Sequence, residues 1–140
     1  MDAKNRWTVE YNEESNFSSF FRNLNTYEQA VVRAAIEQVL ETLGPEICAG
    51  RWGRPLGGCL VEFRIDATLR ALLDADRALE LGFGGQHPRV LVRLFCVFHG
   101  QRIVLIHHGY NKGKSPGPKR QSKEIRVARN IHEAWKRKID

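Results

Sequence analysis

Four segments of the chain have the hydrophobic pattern of β-strands. Apolar and polar residues alternate with a period of two in Trp7–Tyr11 and again in Cys59–Ile65, which is typical of strands buried on one face. Two longer runs, at 89–98 and 101–110, are rich in Val, Ile, Leu and Phe. Only two residues separate these runs, so they predict a β-hairpin.

Apolar residues at helical spacing predict three helices. The first has one apolar stripe that comprises Phe17, Phe20, Phe21 and Leu24. The second begins at a capping box formed by Thr26 and Gln29 and ends at Gly44. The third lies near the C-terminus, where the apolar positions are Ile125, Ala128, Ile131, Trp135 and Ile139.

The remaining segments predict loops and one short helix. Residues 50–58 are rich in Gly and Pro and predict a loop. Residues 66–81 have the composition of a short helix, and residues 82–88 again predict a loop. The later strands are too close together for helical crossovers, which favours an α+β fold over a doubly wound one. We expect a small twisted, antiparallel-dominated sheet of about four strands, with two N-terminal helices and a C-terminal helix packed on one face.

Length and composition restrict the class of protein. The 140 residues suit a single domain, 1–140, and 42% of them are hydrophobic and 27% charged, which is typical of a globular protein. The apolar stretches are shorter than the roughly 18 residues that span a bilayer, and the first residues lack the apolar core of a signal peptide. We therefore expect a cytoplasmic protein without a membrane partner.

The net charge of +6 conceals two unlike parts. Residues 1–88 contain nine basic and thirteen acidic side chains, whereas residues 89–140 contain thirteen basic and three acidic ones. A C-terminal part with a net charge of +10 indicates a polyanion or an acidic protein as partner.

The sequence gives no sign of a metal or cofactor site. Cys48, Cys59 and Cys96 are widely spaced and have no zinc-ligand pattern, so we expect reduced, buried thiols. No cluster of Asp and Glu indicates a magnesium site. If the chain cleaves RNA, this absence favours a metal-independent reaction in which the 2′-hydroxyl is the nucleophile.

Arg64 and Arg93 occupy central positions of two predicted strands. A buried guanidinium needs a carboxylate or an open polar face, so these residues are either partners of Glu62 in salt bridges or phosphate ligands on one face. His107 and His108 follow on the last strand, where we expect them to point to opposite faces. Each of these histidines has either a structural role or a role as a proton carrier at neutral pH.

The segment after the last strand is the most basic part of the chain. Tyr110 is suited either to stacking on a base or to filling the edge of the core. Seven basic residues and one acidic residue, Glu124, lie between Lys112 and Arg129. They form either a solvated surface or a site that grips RNA phosphates. The candidate RNA-binding residues are Lys114, Lys119, Arg120, Lys123 and Arg126.

The order of these motifs resembles a known family. Leu60-x-Glu62-x-Arg64, Arg93-Leu94-Phe95, Leu105-x-x-His108-Gly109-Tyr110-x-Lys112 and Glu124-Ile125-x-x-Ala128 follow one another along the chain. Together they resemble the RelE/HigB superfamily of bacterial toxins, in particular its phage-derived, HigB-like branch. The resemblance covers roughly residues 45–130 and implies a RelE-like fold with an insertion at residues 67–88.

The resemblance also implies a function. It indicates a ribosome-dependent mRNA endoribonuclease, the toxin of a type II toxin–antitoxin pair, which works without a cofactor. Arg64 and Arg93 are then the ligands of the scissile phosphate, and Lys112, with Lys114, holds the backbone or transfers a proton. His108 and Tyr110 are the candidates for general acid and base.

The same resemblance implies partners, and two other functions compete with it. The expected partners are the ribosome with its mRNA and a cognate antitoxin with a helix-turn-helix domain, which alone would contact operator DNA. One alternative is a non-enzymatic toxin of this fold that inhibits a protein such as DNA gyrase. The other is a simple RNA- or DNA-binding module.

Overall fold

The described chain, residues 5–139 of a computed structural model, is built on one mixed sheet with strand order β1-β5-β4-β3-β2. The strands are β1 (Thr8–Tyr11), β2 (Gly53–Gly57), β3 (Leu60–Ala67), β4 (Val90–His99) and β5 (Ile103–Asn111). β1 runs parallel to β5, and all other neighbours are antiparallel. The α+β class and the β4–β5 hairpin are confirmed. The first four residues, which bear on the signal-peptide prediction, lie outside the described range.

The fifth strand, β2, occupies a segment for which we predicted a loop. It pairs with β3 so that Arg54 lies opposite Glu62 and Pro55 opposite Val61, and the register shifts between Pro55 and Gly57. Proline lacks an N–H but is tolerated in an edge strand, where one side of the backbone has no neighbour. The Gly and Pro residues led to the prediction of a loop, but they are compatible with a strand at the edge of the sheet.

Two N-terminal helices cover one face of the sheet. They are α1 (Phe17–Arg22) and α2 (Thr26–Ala35), and α2 continues through a π-helical turn (Ile36–Leu40) into α3 (Glu41–Leu43). The capping box of α2 is formed by Asn25 and Glu28, one residue earlier than predicted. Buried residues of these helices pack with the apolar face of β3, β4 and β5 in the main core.

The C-terminal helix lies on the opposite face, which contradicts the prediction that all helices pack on one face. This helix, α6 (Pro118–Ile139), buries Glu124, Ala128 and His132 at four-residue spacing. Ala128 belongs to a second apolar cluster with Leu60, Phe95 and Tyr110, whose side chains project from the sheet away from the main core. The sheet is therefore covered on both faces, and most of the charged strand residues lie on the α6 face.

A bulge in β5 changes the direction of the two adjacent histidines. Phe95 pairs with His108 and Cys96 pairs with Ile106, so His107 is an extra residue in the ladder. Because the extra residue interrupts the alternation, both imidazoles contact α6: His107 bonds His132, and His108 bonds Glu124. The prediction that they point to opposite faces is wrong for this reason.

The segment between β3 and β4 contains two short helices and a loop. These helices are α4 (Leu69–Leu72) and α5 (Ala75–Glu80), where one short helix was predicted. The hydroxyl of Tyr27 accepts a hydrogen bond from the backbone N–H of Leu69 at 2.9 Å. The ring of His87 stacks on Tyr27 with their centroids 4.2 Å apart. These contacts attach the segment to α2, on the face of the sheet opposite α6.

Two further predictions concern thiols and membrane segments. The three cysteines are free, but only Cys96 is buried, while Cys48 is half-buried and Cys59 is exposed. The prediction of buried thiols is therefore wrong for Cys59, which lies in the β2–β3 turn with a positive φ of 70°. No helix within residues 5–139 has the length and hydrophobicity needed to cross a bilayer.

Candidate functional site

Three predicted site residues form one row across the sheet. Arg64 on β3 lies directly opposite Arg93 on β4, and Arg93 lies directly opposite Tyr110 on β5. Directly opposite residues have their Cβ atoms about 5 Å apart, and all three belong to the face that α6 covers in part. The register therefore brings together side chains that are separated by up to 46 residues in the sequence.

Arg93 is the most deeply buried cation of the row. Its side chain is only 3% exposed, and its Nη1 donates hydrogen bonds to the carbonyl oxygens of Ile65 and Val92 at 3.3 and 3.2 Å. The Nε atom is buried without a partner among the described residues. Burial lowers the pKa of this guanidinium, and Glu62 opposes that effect. Arg93 nevertheless stays charged, because an arginine does not lose its proton in a protein.

The counter-ion of the site is Glu62, one row further along β3. Its carboxylate is fully buried, with Oε1 3.2 Å from Nε of Arg54 and 3.8 Å from Nε of Arg64. Gln121 of α6 donates a hydrogen bond to Oε2 at 3.2 Å. The predicted salt bridge between Glu62 and Arg64 is thus present, although its length makes it the weaker of the two pairs.

Arg54 is a member of the site that the sequence did not indicate. It is half-exposed and forms the shorter ion pair with Glu62 because β2 lies beside β3. Since residues 50–58 were predicted to be a loop, no strand register was available to place this side chain. The only signal in the sequence is the spacing of Arg54 and Glu62 about the β2–β3 turn at Gly58 and Cys59.

Lys112 follows the end of β5 and belongs to the same electrostatic environment. The pKa of its ammonium is lowered, first by partial burial and then by the positive charge of Arg93, with Arg64 and Arg54 acting in the same direction. Glu62 opposes this shift. The cluster therefore holds four cations, Arg54, Arg64, Arg93 and Lys112, around one carboxylate.

Tyr110 ends the row on β5. The side chain is 4% exposed, its ring lies parallel to that of Phe95, and its hydroxyl is buried without a partner within residues 5–139. Burial and the nearby carboxylates Glu62 and Glu124 raise the pKa of this phenol, against the opposing effect of Arg93. The group is consequently protonated at neutral pH and has a hydrogen to donate.

His108 lies one row away from Tyr110, beneath α6. Its Nε2 is 3.1 Å from Oε2 of Glu124, its ring stacks on Phe95, and the side chain is only 7% exposed. In this arrangement the imidazole joins β5 to α6, and the helix separates it from solvent. Direct contact with a bound ligand therefore requires movement of α6.

The five predicted RNA-binding cations are exposed but do not share one surface. At 100° per residue, Lys119, Lys123 and Arg126 lie on the side of α6 opposite its buried stripe. Arg120 lies on the flank, 3.6 Å from Glu124, and Lys114 lies in the turn before α6. Arg120 and Lys114 thus border the Arg64–Arg93–Tyr110 row, whereas the other three cations face solvent on the far side of the helix.

A larger cavity lies elsewhere, along the free edge of β1. It measures about 1070 Å³, and its walls come from β1 with the residues just before it, from α1, and from α2 with its π-helical continuation, including Arg6, Tyr11, Phe21 and Glu37. None of the predicted site residues lines it. Its size reflects an uncovered strand edge between two helices, so we place the candidate chemistry at the cationic row and not at this cavity.

Comparison with known proteins leaves the site to be interpreted from its own geometry. No family model, no curated protein and no solved structure matches the chain. Within residues 5–139, no three side chains of His, Cys, Asp or Glu converge in an arrangement that could hold a metal ion.

Proposed function

We propose that this chain is a ribosome-dependent mRNA endoribonuclease with a RelE-like fold, the cytoplasmic toxin of a type II toxin–antitoxin pair. In this proposal the antitoxin carries a helix-turn-helix domain, and the reaction needs no metal ion or other cofactor. The motif order described above suggests the family, and the geometry of the cationic row supports phosphodiester chemistry.

The proposal depends mainly on one observation, a cluster of positive side chains whose charge Glu62 does not neutralise. Four cations surround Glu62, which leaves a local charge of +3, and Arg93 is almost fully buried. Like charges placed directly opposite on neighbouring strands destabilise a sheet, and buried charges are costly without a partner. A bound phosphodiester would supply the missing negative charge, and guanidinium groups match its oxygens in geometry.

The proposed reaction is an internal phosphoryl transfer. The ribose 2′-oxygen attacks the adjacent phosphorus and gives its proton to a base, and the bond to the 5′-oxygen of the next nucleotide breaks. That oxygen takes up a proton, so the products are a 2′,3′-cyclic phosphate and a 5′-hydroxyl end. Arg64 and Arg93 would stabilise the charge that develops on the non-bridging oxygens.

The remaining residues receive roles that follow from their environments. Tyr110 is protonated at neutral pH and lies beside Arg93, so we assign it the proton donated to the leaving oxygen. Lys112 has a lowered pKa, which suits either proton transfer or a contact with the RNA backbone. His108 acts as a positioning residue, because its bond to Glu124 holds α6 against β5.

The test compares arginine variants inside and outside the row. Arg64→Ala and Arg93→Ala should abolish growth inhibition and lower ribosome-associated mRNA cleavage by about 10²–10³-fold, the usual cost of removing one such donor. Arg64 is the more informative position because its side chain is 40% exposed and its loss leaves the core intact. Arg33→Ala, an exposed position on α2, is the matched control and should behave as the wild type.

The readout separates the proposed function from its alternatives. Brief expression of the wild type should create new 5′-hydroxyl ends in ribosome-bound transcripts. Growth arrest without new RNA ends would instead indicate a protein target such as DNA gyrase, and salt-dependent RNA or DNA binding with neither effect would indicate a binding module. Full cleavage by folded Arg64→Ala would remove this arginine from the mechanism.

A further inference from the structure

A cleft opens beside Tyr110, where β5 extends past the end of β1. Its volume is about 310 Å³, and its walls come from α1, the end of β5, the following turn and the start of α6. Beyond β1, the side chain of Asn16 takes the place of a neighbouring strand. Its amide donates to the carbonyl of Gly109 at 2.8 Å and accepts from the N–H of Gly109 at 2.9 Å.

The small size of Gly109 allows the floor of this cleft to form. A Cβ at this position would lie 2.7 Å from Leu94 and 3.5 Å from the ring of Phe20. With glycine present, Phe20 of α1 reaches the strand edge and gives the cleft an apolar floor. The floor and the two hydrogen bonds between Asn16 and Gly109 give the cleft a defined shape.

Polar groups line the walls of the cleft. The hydroxyl of Tyr110 is buried without a partner within residues 5–139, and the exposed side chain of Asn23 adds an amide to the wall. Lys114 and Arg120 add positive charge at the side that adjoins the cationic row, where the carboxylate of Glu124 also lines the cleft and pairs with Arg120 and His108. An apolar floor with amide and hydroxyl groups on the walls and a net positive charge on one side suits a planar, polar ligand attached to a phosphate.

We propose that this cleft binds the nucleoside on the 5′ side of the cleaved bond, with its base over Phe20 and its 3′-phosphate at Arg93. The proposal rests on the ribonuclease function for the statement that the nucleoside belongs to RNA. Tyr110 lines the cleft and also ends the row with Arg93, so one nucleotide spans both. The volume lies at the lower limit of ligand pockets, about 300 Å³, and therefore holds one nucleoside and not a longer segment.

Binding of ribonucleoside 3′-monophosphates to the whole chain tests the cleft directly. These compounds carry the base and the phosphate in the proposed arrangement, and inorganic phosphate carries only the second. We expect at least one 3′-monophosphate to bind about tenfold more tightly than inorganic phosphate, as measured by calorimetry. We also expect Asn23→Leu, which replaces the amide of the cleft wall by an apolar group of nearly the same shape, to remove this advantage while leaving phosphate affinity unchanged.

The matched control makes the same substitution at an exposed asparagine far from the cleft. Asn130→Leu, on the solvent side of α6, should retain wild-type affinity for both ligands. In cleavage assays, Asn23→Leu should alter the preference for the nucleotide before the cut, whereas Asn130→Leu should not. The cleft assignment is refuted if the 3′-monophosphates bind no more tightly than phosphate, or if Asn23→Leu binds them as the wild type does.

These outcomes also test nucleotide binding in the cleft separately from the proposed ribonuclease activity. Tight, Asn23-dependent nucleotide binding without mRNA cleavage would support the cleft and reject the ribonuclease. Cleavage with no dependence on Asn23, in rate or in nucleotide preference, would support the ribonuclease and reject the cleft.

Discussion

A chain of hydrogen bonds connects the uncharged imidazoles of His107 and His132, and it predicts that the free energy of unfolding decreases in acid. The Nε2 of His132 lies 2.8 Å from the carbonyl of Gly58, which can only accept, so this nitrogen carries the hydrogen. The Nδ1 of His132 must then accept from Nε2 of His107 at 3.1 Å, and Nδ1 of His107 accepts from the amide of Asn12 at 3.0 Å. Both imidazoles are therefore neutral in this arrangement.

Protonation of His107 would break this relay, and its surroundings oppose protonation. The side chain is fully buried, and its ring also contacts Trp135. Burial is the main cause that lowers the pKa of His107 to about 4, and the repulsion that a proton on the neighbouring His132 or His99 would exert acts in the same direction. In the unfolded chain the imidazole titrates near pH 6.5.

The magnitude follows from these two pKa values. Above pH 6.5 neither state binds a proton at His107, and its contribution to stability is complete. As the pH falls below 6.5 the unfolded state binds a proton first, so the free energy of unfolding decreases until the folded pKa is passed. The loss is about 2 kcal/mol at pH 5 and about 3 kcal/mol below pH 4.

The assay is urea unfolding at pH 7.5 and pH 5, followed by tryptophan fluorescence, for the wild type and His107→Gln. Glutamine cannot titrate but keeps a donor for His132, so the variant should lose about 2 kcal/mol less than the wild type on acidification. Subtracting the two proteins cancels the other titrating groups. The control, His87→Gln, makes the same change in the loop outside the relay and should keep the wild-type pH dependence. Parallel pH dependences for the wild type and His107→Gln would refute the reasoning.

Two further predictions concern the cationic row. Glu62→Gln removes the buried counter-ion of the row and should lower the free energy of unfolding by about 3 kcal/mol. Millimolar phosphate should then raise the Tm of this variant more than that of the wild type. Equal phosphate effects on the two proteins would argue against an anion site. Tyr110→Phe removes a buried hydroxyl without a partner and should raise the free energy of unfolding by about 1 kcal/mol. The same change should lower the rate of mRNA cleavage about 10²-fold, and an unchanged rate would exclude Tyr110 as the proton donor.

Sequence pattern was sufficient where one periodicity was undisturbed. The β4–β5 hairpin, the existence of α6 and the alternation that puts Glu62 and Arg64 on one face of β3 all follow from spacing alone. The apolar stripe predicted for α6 is correct only in part, because the helix buries Glu124, Ala128 and His132 and leaves Ile139 exposed. The prediction that Arg64 and Arg93 lie on one face is confirmed, but their directly opposite register is determined only by the assembled sheet. The predictions failed at β2, where edge position overrides the low strand propensity of Gly and Pro.

The bulge at His107 is the second place where local pattern was insufficient. Nothing in the β5 sequence marks it, because strict alternation through His107 and His108 is equally compatible with a regular strand. Its stabilisation comes from α6, which supplies His132 and Glu124 as partners for the two imidazoles. Since these partners lie 16 and 25 residues further along the chain, only the assembled fold determines the direction of both histidines.

The bulge has a consequence for the candidate site, because it controls where α6 lies. With both imidazoles turned toward the helix, α6 is held to β5 at Glu124 and at His132, two turns apart. The first turn of α6, which contains Arg120 and Gln121, is thereby fixed beside Tyr110 and Glu62. A regular β5 would turn one histidine into the main core and leave one of these attachments unmade. The histidines therefore act on the Arg64–Arg93–Tyr110 row through the position of the helix, which is why their substitution should alter the site without either imidazole touching a ligand.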